Sequence, residues 1–402
     1  MQIGKPALPD ELVDREDEIK AIITRMKSKL NYNIAVLGYR RIGKSSILAK
    51  AAHILSEDDK TVVVYFDVQK FLGDPKSFLI NLQSTIFNAY VKKLDRVGKL
   101  KVKAGKSFDF IGKIVEALSS KKIKGIGVEI TPGASAEDFS ITPKIEFGNK
   151  DINYMPMFLA VFKTANALAE KNNMKFVIIL DEFQEIIHLH RHKGLKNILE
   201  LFRSVIQERG KNVSYIVCGS HVHLLRAILS NGKSALFQHF IELPVGEMNM
   251  KNSVILFNEY LVAKGLKTDD KLATQAYNLV GGQPYYLMAL AEAWEPGNNI
   301  SEVFLNQLSS SVGTLRLYAQ YVLAEDIATA QGGPMLKSIL EKLAVTDKGL
   351  SYSGLSKELS IPTSSLVPYM NELVKTDLVV KEGTLYKIRD NIVKQYLKMS
   401  LN

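Results

Sequence analysis

The sequence predicts an α/β fold with a doubly wound parallel sheet, followed by helical segments, and three observations support this prediction. Short apolar, β-branched runs alternate with helical stretches over the first 248 residues, which is the pattern of parallel strands joined by crossover helices. Two of these runs, 62–66 and 176–180, do not alternate with polar residues, as expected of central strands that are covered on both faces. From residue 249 onward the periodicity becomes helical.

Five strand candidates place residues 1–248 in one α/β domain. They lie at 33–37, 61–67, 175–181, 213–219 and 240–243. Between the second and third candidates, residues 96–155 lose regular periodicity, and we interpret them as an insertion whose later part either forms a β-hairpin or is mobile. The first part, 96–124, holds nine basic side chains against two acidic ones. We interpret it as a solvated loop or helix face, with contact to a nucleic acid or an acidic partner as the alternative.

The rest of the chain divides into two smaller predicted units. Residues 249–330 are expected to form a helical lid domain, entered through Pro244 and Gly246. Residues 331–402 begin with Gln-Gly-Gly-Pro and read as helices at 335–343, 353–359 and 364–374, followed by a short hairpin around Glu382 and Gly383. This order of elements is that of a winged helix-turn-helix.

The partner of the predicted winged helix is left open by its side chains. Its third helix has no arginine that would read guanine. Lys381, Lys387 and Arg389, in and after the hairpin, are nevertheless placed to contact phosphates. Double-stranded DNA and a protein are therefore both possible partners of residues 331–402.

The bulk composition excludes several classes of protein. With 46% hydrophobic and 23% charged residues, the 402-residue chain has the composition of a globular protein and a net charge of +10. No apolar run approaches the length that spans a bilayer, so we expect no membrane segment and a cytoplasmic location. Cys218 is the single cysteine, which excludes an intrachain disulfide and a cysteine-based metal site.

A glycine-rich loop follows the first predicted strand and fits the phosphate-loop pattern of two glycines separated by four residues and followed by Lys and Ser. Gly38 and Gly43 let main-chain N–H groups wrap the β-phosphate, and the following helix points its positive dipole end at the anion. We predict that Lys44 bridges the β- and γ-phosphates of ATP and that the Ser45 hydroxyl ligates Mg²⁺. The predicted nucleotide-binding residues of the loop are Gly38, Tyr39, Arg40, Arg41, Ile42, Gly43, Lys44, Ser45 and Ser46.

An acidic pair ends the third predicted strand. Because parallel strands bring their carboxyl ends to one edge of the sheet, we expect Asp181 and Glu182 beside the phosphate loop. Asp181 is the predicted second Mg²⁺ ligand, and Glu182 the predicted base that orients and polarises the attacking water. Ser220, which follows the strand at 213–219, is placed to sense the γ-phosphate, with a turn-starting serine as the alternative.

Four segments together carry a family resemblance. They are Leu-Val-Asp-Arg-Glu at 12–16, the phosphate loop with its Arg-Arg pair, Ile-Leu-Asp-Glu-Phe-Gln-Glu at 179–185, and Gly-Gly-Gln-Pro at 281–284. In combination they resemble the archaeal ATPase family, within the STAND branch of AAA+-like ATPases. The resemblance implies a P-loop ATPase, with Val13 and Arg15 near the adenine and Pro284 in a lid loop that closes the nucleotide cleft.

One departure from the family bears on catalysis. Family members tend to carry Gly-Arg before the fifth strand, where this chain has Gln238 and His239. If that arginine stabilises transition-state charge, its absence implies slow hydrolysis or a substitute donor. The candidate substitutes are Arg40, Arg41 and Arg226.

Two functions stay open at this point. The first is an ATP-hydrolysing switch in which the lid moves against the α/β domain and residues 331–402 signal to DNA or a protein. The second is a nonenzymatic, nucleotide-gated DNA-binding regulator. Archaeal replication initiators also join such a module to a winged helix, but they usually carry Gly-Thr where this loop has Arg41 and Ile42, so that alternative ranks lower. The oligomeric state is not predicted.

Histidines form the remaining candidate site. His188, His190 and His192 follow the acidic pair, and His221 and His223 follow Ser220. Neutral imidazoles bind metals, but no carboxylate or cysteine pattern of a metal site surrounds them. We therefore interpret them as surface or packing residues.

Overall fold

A computed structural model describes residues 5–71, 73–96, 126–132, 139–145, 152–208, 212–328 and 332–401, with 126–132 and 139–145 described by their backbone. Its strands are β1 (Ile34–Leu37), β2 (Thr61–Asp67), β3 (Ile126–Pro132), β4 (Phe139–Ile145), β5 (Lys175–Asp181), β6 (Val213–Gly219), β7 (Ile241–Pro244), β8 (Val379–Glu382) and β9 (Leu385–Ile388). The five strands of the predicted α/β domain are confirmed, with bounds that differ from the predicted ones by one residue at most.

Helices connect and follow these strands. They are α1 (Glu16–Lys27), α2 (Lys44–Glu57), α3 (Pro75–Arg96), α4 (Met155–Asn172), α5 (Ile198–Gln207), α6 (Val222–Leu229), α7 (Met250–Ala263), α8 (Asp270–Val280), α9 (Pro284–Ala293), α10 (Ile300–Ser309), α11 (Thr314–Ala328), α12 (Gly333–Ala344), α13 (Tyr352–Leu359), α14 (Thr363–Lys375) and α15 (Asn391–Ser400). Within the described part of the chain, no helix combines the length and apolarity needed to cross a membrane.

The main sheet is parallel and has the strand order β2-β5-β6-β1-β7. Strand β5 lies inside it, and residues 176–180 are all 0% exposed, which explains why its sequence does not alternate. One apolar cluster packs on the face that α3, α4 and α5 cover, and another on the face that α1 and α2 cover. This order brings β1, β5 and β6 side by side, so their carboxyl ends meet at one edge.

The predicted insertion contains the hairpin that the sequence left undecided. Strands β3 and β4 pair antiparallel, with Ile126 opposite Ile145, and β4 contacts α3. The basic run predicted as a solvated surface lies almost entirely outside the described residues. The role of its charge therefore stays a prediction.

The helices and hairpin predicted beyond residue 331 are observed as α12, α13, α14 and β8–β9, and a bridge also joins Leu350 to Tyr386. A further helix, α15, was not predicted from the sequence and packs against both α11 and α12. The apolar side chains of α7–α11 form one continuous cluster with those of α12–α15. The division into a lid domain (249–330) and a winged helix-turn-helix (331–402) stays a prediction, and the two segments share a core.

Candidate functional site

The loop between β1 and α2 has a backbone that requires glycine at two positions. Gly43 has a φ of +98°, in the left-handed region that glycine adopts without strain. A Cβ on Gly38 would lie 2.8 Å from the carbonyl oxygen of Val245. Lys44 begins α2 with its side chain buried, and its ammonium donates to the Tyr39 carbonyl oxygen at 2.8 Å. The ammonium is thus held inside the loop that it would share with a phosphate.

Oxygen ligands meet beside this loop. The Ser45 hydroxyl donates to Asp181 Oδ2 at 3.1 Å, and the Tyr65 hydroxyl donates to the same oxygen at 2.5 Å. Burial and the nearby Asp181 raise the pKa of Tyr65 well above its ordinary value, so this hydroxyl stays protonated and remains a donor. A hydroxyl and a carboxylate are hard oxygen ligands of the kind that Mg²⁺ takes from a protein while phosphates and water complete its shell. The donor set therefore fits Mg²⁺.

Glu182 is held by its neighbours on the same sheet edge. Its Oε2 accepts from the Ser220 main-chain N–H and hydroxyl, each at 3.0 Å, and from Gln184 Nε2 at 2.6 Å. Its backbone has a φ of +49°, a strained conformation for a residue with a side chain. Ser220 thus contacts the predicted base directly, a contact that the sequence did not predict.

Lys44, Ser45, Glu182 and Ser220 line a cavity of about 360 Å³ that α9 and α11 also line, a size typical of small-ligand sites. Its phosphate-loop and sheet-edge wall is formed by Arg40, Arg41, Ile42, Gly43, Lys44, Ser45, Ser46, Glu182, Glu185, Ser220 and His221. Its opposite, more apolar wall includes Leu12, Val13, Met248, Leu256, Pro284, Tyr285, Met288, Tyr318 and Tyr321. The cavity is therefore lined by a polar set of side chains from the loop and sheet edge and by a more apolar set from other segments.

The residues expected near adenine are placed differently from one another. Val13 and Pro284 line the apolar wall. Arg15 also lines the cavity, but its guanidinium donates to the carbonyl oxygens of Ile42 at 3.2 Å and Gly246 at 2.8 Å. Arg15 therefore ties the start of α1 to the phosphate loop.

Two more loop residues make structural contacts. The Ser46 hydroxyl accepts from the Ala7 N–H at 3.0 Å. The ring of Tyr39 faces the C-terminal segment, where the Arg389 guanidinium lies 4.1 Å from the ring centroid. Arg389 also pairs with Asp377 at 3.4 Å, so it is engaged inside the molecule rather than displayed for phosphate contact.

The three candidate substitute arginines lie in different surroundings. Arg226 pairs with Glu242 at 3.4 Å, with half of its side chain exposed. Arg41 lies over the ring of Tyr285 on the lid, 4.9 Å from its centroid. Arg40 contacts His221 Nε2 at 2.6 Å, next to Ser220. Of the three, Arg40 lies nearest the acidic pair along this chain of contacts.

Gln238 and His239, where family members tend to carry Gly-Arg, lie at the end of the sheet opposite the phosphate loop and do not contact this cavity directly. Asn33 Nδ2 donates to the His239 carbonyl oxygen at 3.3 Å, at the amino ends of β1 and β7. The phosphate loop follows the carboxyl end of β1, a full strand away. An arginine at position 239 would therefore not reach the phosphates of its own chain.

The histidines do not form a metal site in the described part of the chain. No group of three His, Cys, Asp or Glu side chains with metal-binding geometry is found there. His188 pairs with Glu185 at 3.3 Å, and His192 Nε2 contacts the Gly73 carbonyl oxygen at 2.8 Å. The interpretation of these residues as surface and packing groups agrees with these contacts.

The sequence matches the profile of a family described as an ATPase domain predominantly from Archaea, over residues 12–290. This match covers more than half of the chain and includes the phosphate loop, the acidic pair and the loop before α9. The chain belongs to this archaeal ATPase family. The resemblance inferred from the four segments is thereby confirmed.

Two solved structures support the fold of this archaeal ATPase. The Walker-type ATPase of Pyrococcus abyssi is similar with a TM-score of 0.69 and 20% identity, covering 98% of this chain and 99% of the other. The ORC2 protein of Aeropyrum pernix is similar with a TM-score of 0.53 and 13% identity, covering 99% and 97%. No curated protein sequence gives a significant match. The predicted P-loop ATPase sheet with attached helices is confirmed at the level of the fold.

Sequence reasoning missed several residues that complete the site of this archaeal ATPase. Gln184 gave a signal in the sequence, because it is a polar residue three positions after Asp181. The structure shows that its side chain is buried. Tyr65 gave a weaker one, as a hydroxyl-bearing residue near the end of a buried strand. Glu325 gave none, because 285 residues separate it from its partner Arg40.

Proposed function

We propose that this archaeal ATPase binds ATP with Mg²⁺ in the cavity and hydrolyses it slowly, in the cytoplasm, as a nucleotide-driven switch. The observation that carries the proposal is the convergence of four residues from two strand ends. Lys44 and Ser45 lie at the start of α2, and Asp181 and Glu182 at the end of β5, with the Ser45 hydroxyl 3.1 Å from Asp181.

Each residue has one role in this proposal. Lys44 leaves the Tyr39 carbonyl and binds the β- and γ-phosphates, since an anionic acceptor is stronger than a neutral carbonyl. Ser45 and Asp181 hold Mg²⁺, which when bound neutralises charge on the phosphates. Glu182 orients a water for attack and accepts its proton, and its contacts with Ser220 and Gln184 fix the position of the carboxylate.

The more apolar wall of the cavity suits a purine base. Val13 and Pro284 lie on this wall together with Tyr285, and aromatic and aliphatic side chains of this kind stack on flat rings. ORC2 of Aeropyrum pernix, which shares the fold, was solved with ADPNP and ADP. We infer that adenine lies against this wall and that the phosphates extend toward Glu182.

The switch would act through residues 331–402. The Arg389–Tyr39 contact joins this segment to the phosphate loop, and the His223 N–H donates to Asp377 Oδ2 at 3.0 Å. The first contact links the phosphate loop to the predicted winged helix, and the second links α6 to it. A protein partner is favoured over duplex DNA, because Lys387 is paired with Glu382 at 2.6 Å and Arg389 is turned inward.

Phosphate release measured for wild type, Glu182→Gln and Glu200→Gln tests the enzymatic proposal. Glu182→Gln keeps the shape but removes the base, so we expect kcat to fall about 100-fold or more with little change in KM. Glu200 is an exposed acid on α5, and its variant should match wild type. Equal slow turnover in wild type and Glu182→Gln would favour the nonenzymatic, nucleotide-gated regulator.

A separate measurement tests whether residues 331–402 bind DNA. Binding of duplex DNA across a series of salt concentrations reports phosphate contacts, since affinity falls with salt when cations on the protein neutralise phosphates. We expect residues 331–402 to contribute no salt-dependent affinity for duplex DNA. A steep salt dependence lost on changing Lys381 and Lys387 to Ala would instead support a DNA-binding regulator.

A further inference from the structure

Arg40 belongs to the phosphate loop, but its side chain is held by two other parts of the molecule. Its Nη1 donates to Glu325 Oε2 on α11 at 2.6 Å, and its Nη2 contacts His221 Nε2 at 2.6 Å. Its carbonyl oxygen accepts from Gln283 Nε2, before α9, at 3.0 Å. One loop residue thus connects the phosphate loop, the lid and the edge of the sheet.

The guanidinium lies toward the catalytic end of the cavity. His221 directly follows Ser220, whose hydroxyl holds Glu182 at 3.0 Å. Arg40 and Glu325 line the same cavity as Glu182, Ser220 and His221. If the proposed function is right, this is the end where the third phosphate of ATP lies, and the chain of phosphates in ADP stops before it.

Glu325 is an ionised partner that a phosphate can replace. Burial raises the pKa of its carboxyl, but hydrogen bonds from Tyr321 and Arg40 outweigh this effect and hold the pKa below its ordinary value. The Arg40 and Glu325 side chains are 16% and 31% exposed, so water only partly screens their attraction. A γ-phosphate carries more negative charge than a carboxylate, and its oxygens fit the guanidinium fork.

We propose that Arg40 distinguishes ATP from ADP by exchanging Glu325 for the γ-phosphate. The exchange breaks an ion pair between the phosphate loop and α11, so the lid is held more tightly with ADP than with ATP. Because Glu325 and the phosphate compete for one guanidinium, removing the carboxylate favours ATP binding and leaves ADP binding unchanged. This inference rests on the proposed function and adds to it the residue that reads the third phosphate.

Calorimetric titration of the Mg²⁺-saturated full chain with ATPγS and with ADP tests the exchange. We expect Arg40→Gln to weaken ATPγS about tenfold, the loss of one charge-assisted contact to a phosphate, and to change ADP affinity less than about twofold. Glu325→Gln should strengthen ATPγS about threefold and leave ADP unchanged. In the Arg40→Gln background, Glu325→Gln should have no effect on either ligand.

Lys163→Gln is the matched control, since Lys163 is another cation in an ion pair, with Glu208, on α4 outside the cavity. It should leave both affinities at the wild-type values. Equal loss of ATPγS and ADP affinity in Arg40→Gln would overturn the proposal, and so would weaker ATPγS binding in Glu325→Gln. If Arg40→Gln does not fold, the Glu325→Gln titration alone decides. Absence of all nucleotide binding in wild type would contradict the proposed function instead.

Amide hydrogen exchange in α11 provides the second measurement. Exchange over residues 314–328 should be faster with ATPγS than with ADP, since the Arg40–Glu325 pair is broken only by the triphosphate. In Glu325→Gln the two nucleotides should give equal exchange in this helix. Equal exchange with both nucleotides in wild type would show that the ion pair persists and would overturn the release of the lid.

Discussion

The two walls of the cavity are built in different ways. The sheet-edge wall takes Lys44, Ser45 and Glu182 from two short segments, each of which follows a buried parallel strand. The facing wall takes Glu325 from α11, and Arg389, outside the cavity lining, contacts Tyr39 of the loop. These two residues contact loop residues 285 and 350 positions away in sequence. Local geometry thus places the chemical groups, and long-range packing places the groups that contact them from other segments.

This difference predicts different effects of mutation. Changes at the sheet edge should alter nucleotide binding, metal binding or turnover, with large effects. Changes on the lid and C-terminal side should alter how the protein responds to the nucleotide, and their effects should be small. The following variants test that separation in order of expected size.

Lys44→Ala should have the largest effect on binding. The ammonium is buried in the loop and is the proposed phosphate ligand, so its removal should weaken ATPγS about 100-fold, as the loss of charge-assisted hydrogen bonds to two phosphates. Lys50→Ala, on the same helix, should bind like wild type. Fluorescence titration with a labelled nucleotide measures both, and comparable affinities would show that Lys44 does not bind phosphate.

Tyr65→Phe should act on the metal. Its hydroxyl orients Asp181 through a 2.5 Å hydrogen bond, and loss of such a supporting contact typically weakens a metal about tenfold. The Mg²⁺ concentration for half-maximal turnover should rise by that factor, while ADP affinity without Mg²⁺ stays the same. Tyr32→Phe, at a partly buried tyrosine packed behind the sheet, is the control. An unchanged Mg²⁺ requirement would remove Tyr65 from the site.

Ser220→Ala should lower kcat about fivefold at unchanged KM, because Glu182 loses one of its hydrogen bonds and keeps the others. Ser214 lies on β6, the strand that Ser220 follows, and its buried hydroxyl has no hydrogen-bond partner within the described residues. Ser214→Ala should therefore leave turnover unchanged. Steady-state phosphate release distinguishes the two, and a rise in KM for Ser220→Ala would indicate a contact with the nucleotide instead.

Arg389→Gln should have the smallest effect of the four variants, a loss of about threefold in nucleotide affinity, because it removes a cation–π contact with Tyr39 rather than a phosphate ligand. The Tm should fall more for Arg389→Gln than for Lys387→Gln, because the Lys387 pair with Glu382 is on the exposed hairpin. A drop in affinity as large as that of Lys44→Ala would contradict the separation of the two walls.

The sequence was sufficient for the sheet and for the residues at its edge. Strands such as 176–180 are buried on both faces and therefore carry an unbroken apolar signal, and a phosphate loop imposes its glycines and lysine directly. Helix α15 was missed, because its short amphipathic pattern follows the hairpin without a strong break. The contact of Arg389 with Tyr39 gives no signal in the sequence, because 350 positions separate the two residues.

Gln184 and Glu325 show where prediction from sequence stops. Gln184 lies within the acidic motif, so its position next to Glu182 follows from local geometry once the strand is known. Glu325 depends on how α11 packs over the loop. A single acid on a helix surface resembles any other solvated acid, so no local pattern distinguishes it.

The most direct test of the account is calorimetric titration of wild-type protein with ATPγS, with and without Mg²⁺. We expect binding at one site that Mg²⁺ strengthens, since Ser45 and Asp181 supply its protein ligands beside the phosphates. Heat changes that stay at the level of buffer dilution, with Mg²⁺ at saturation, would contradict the account.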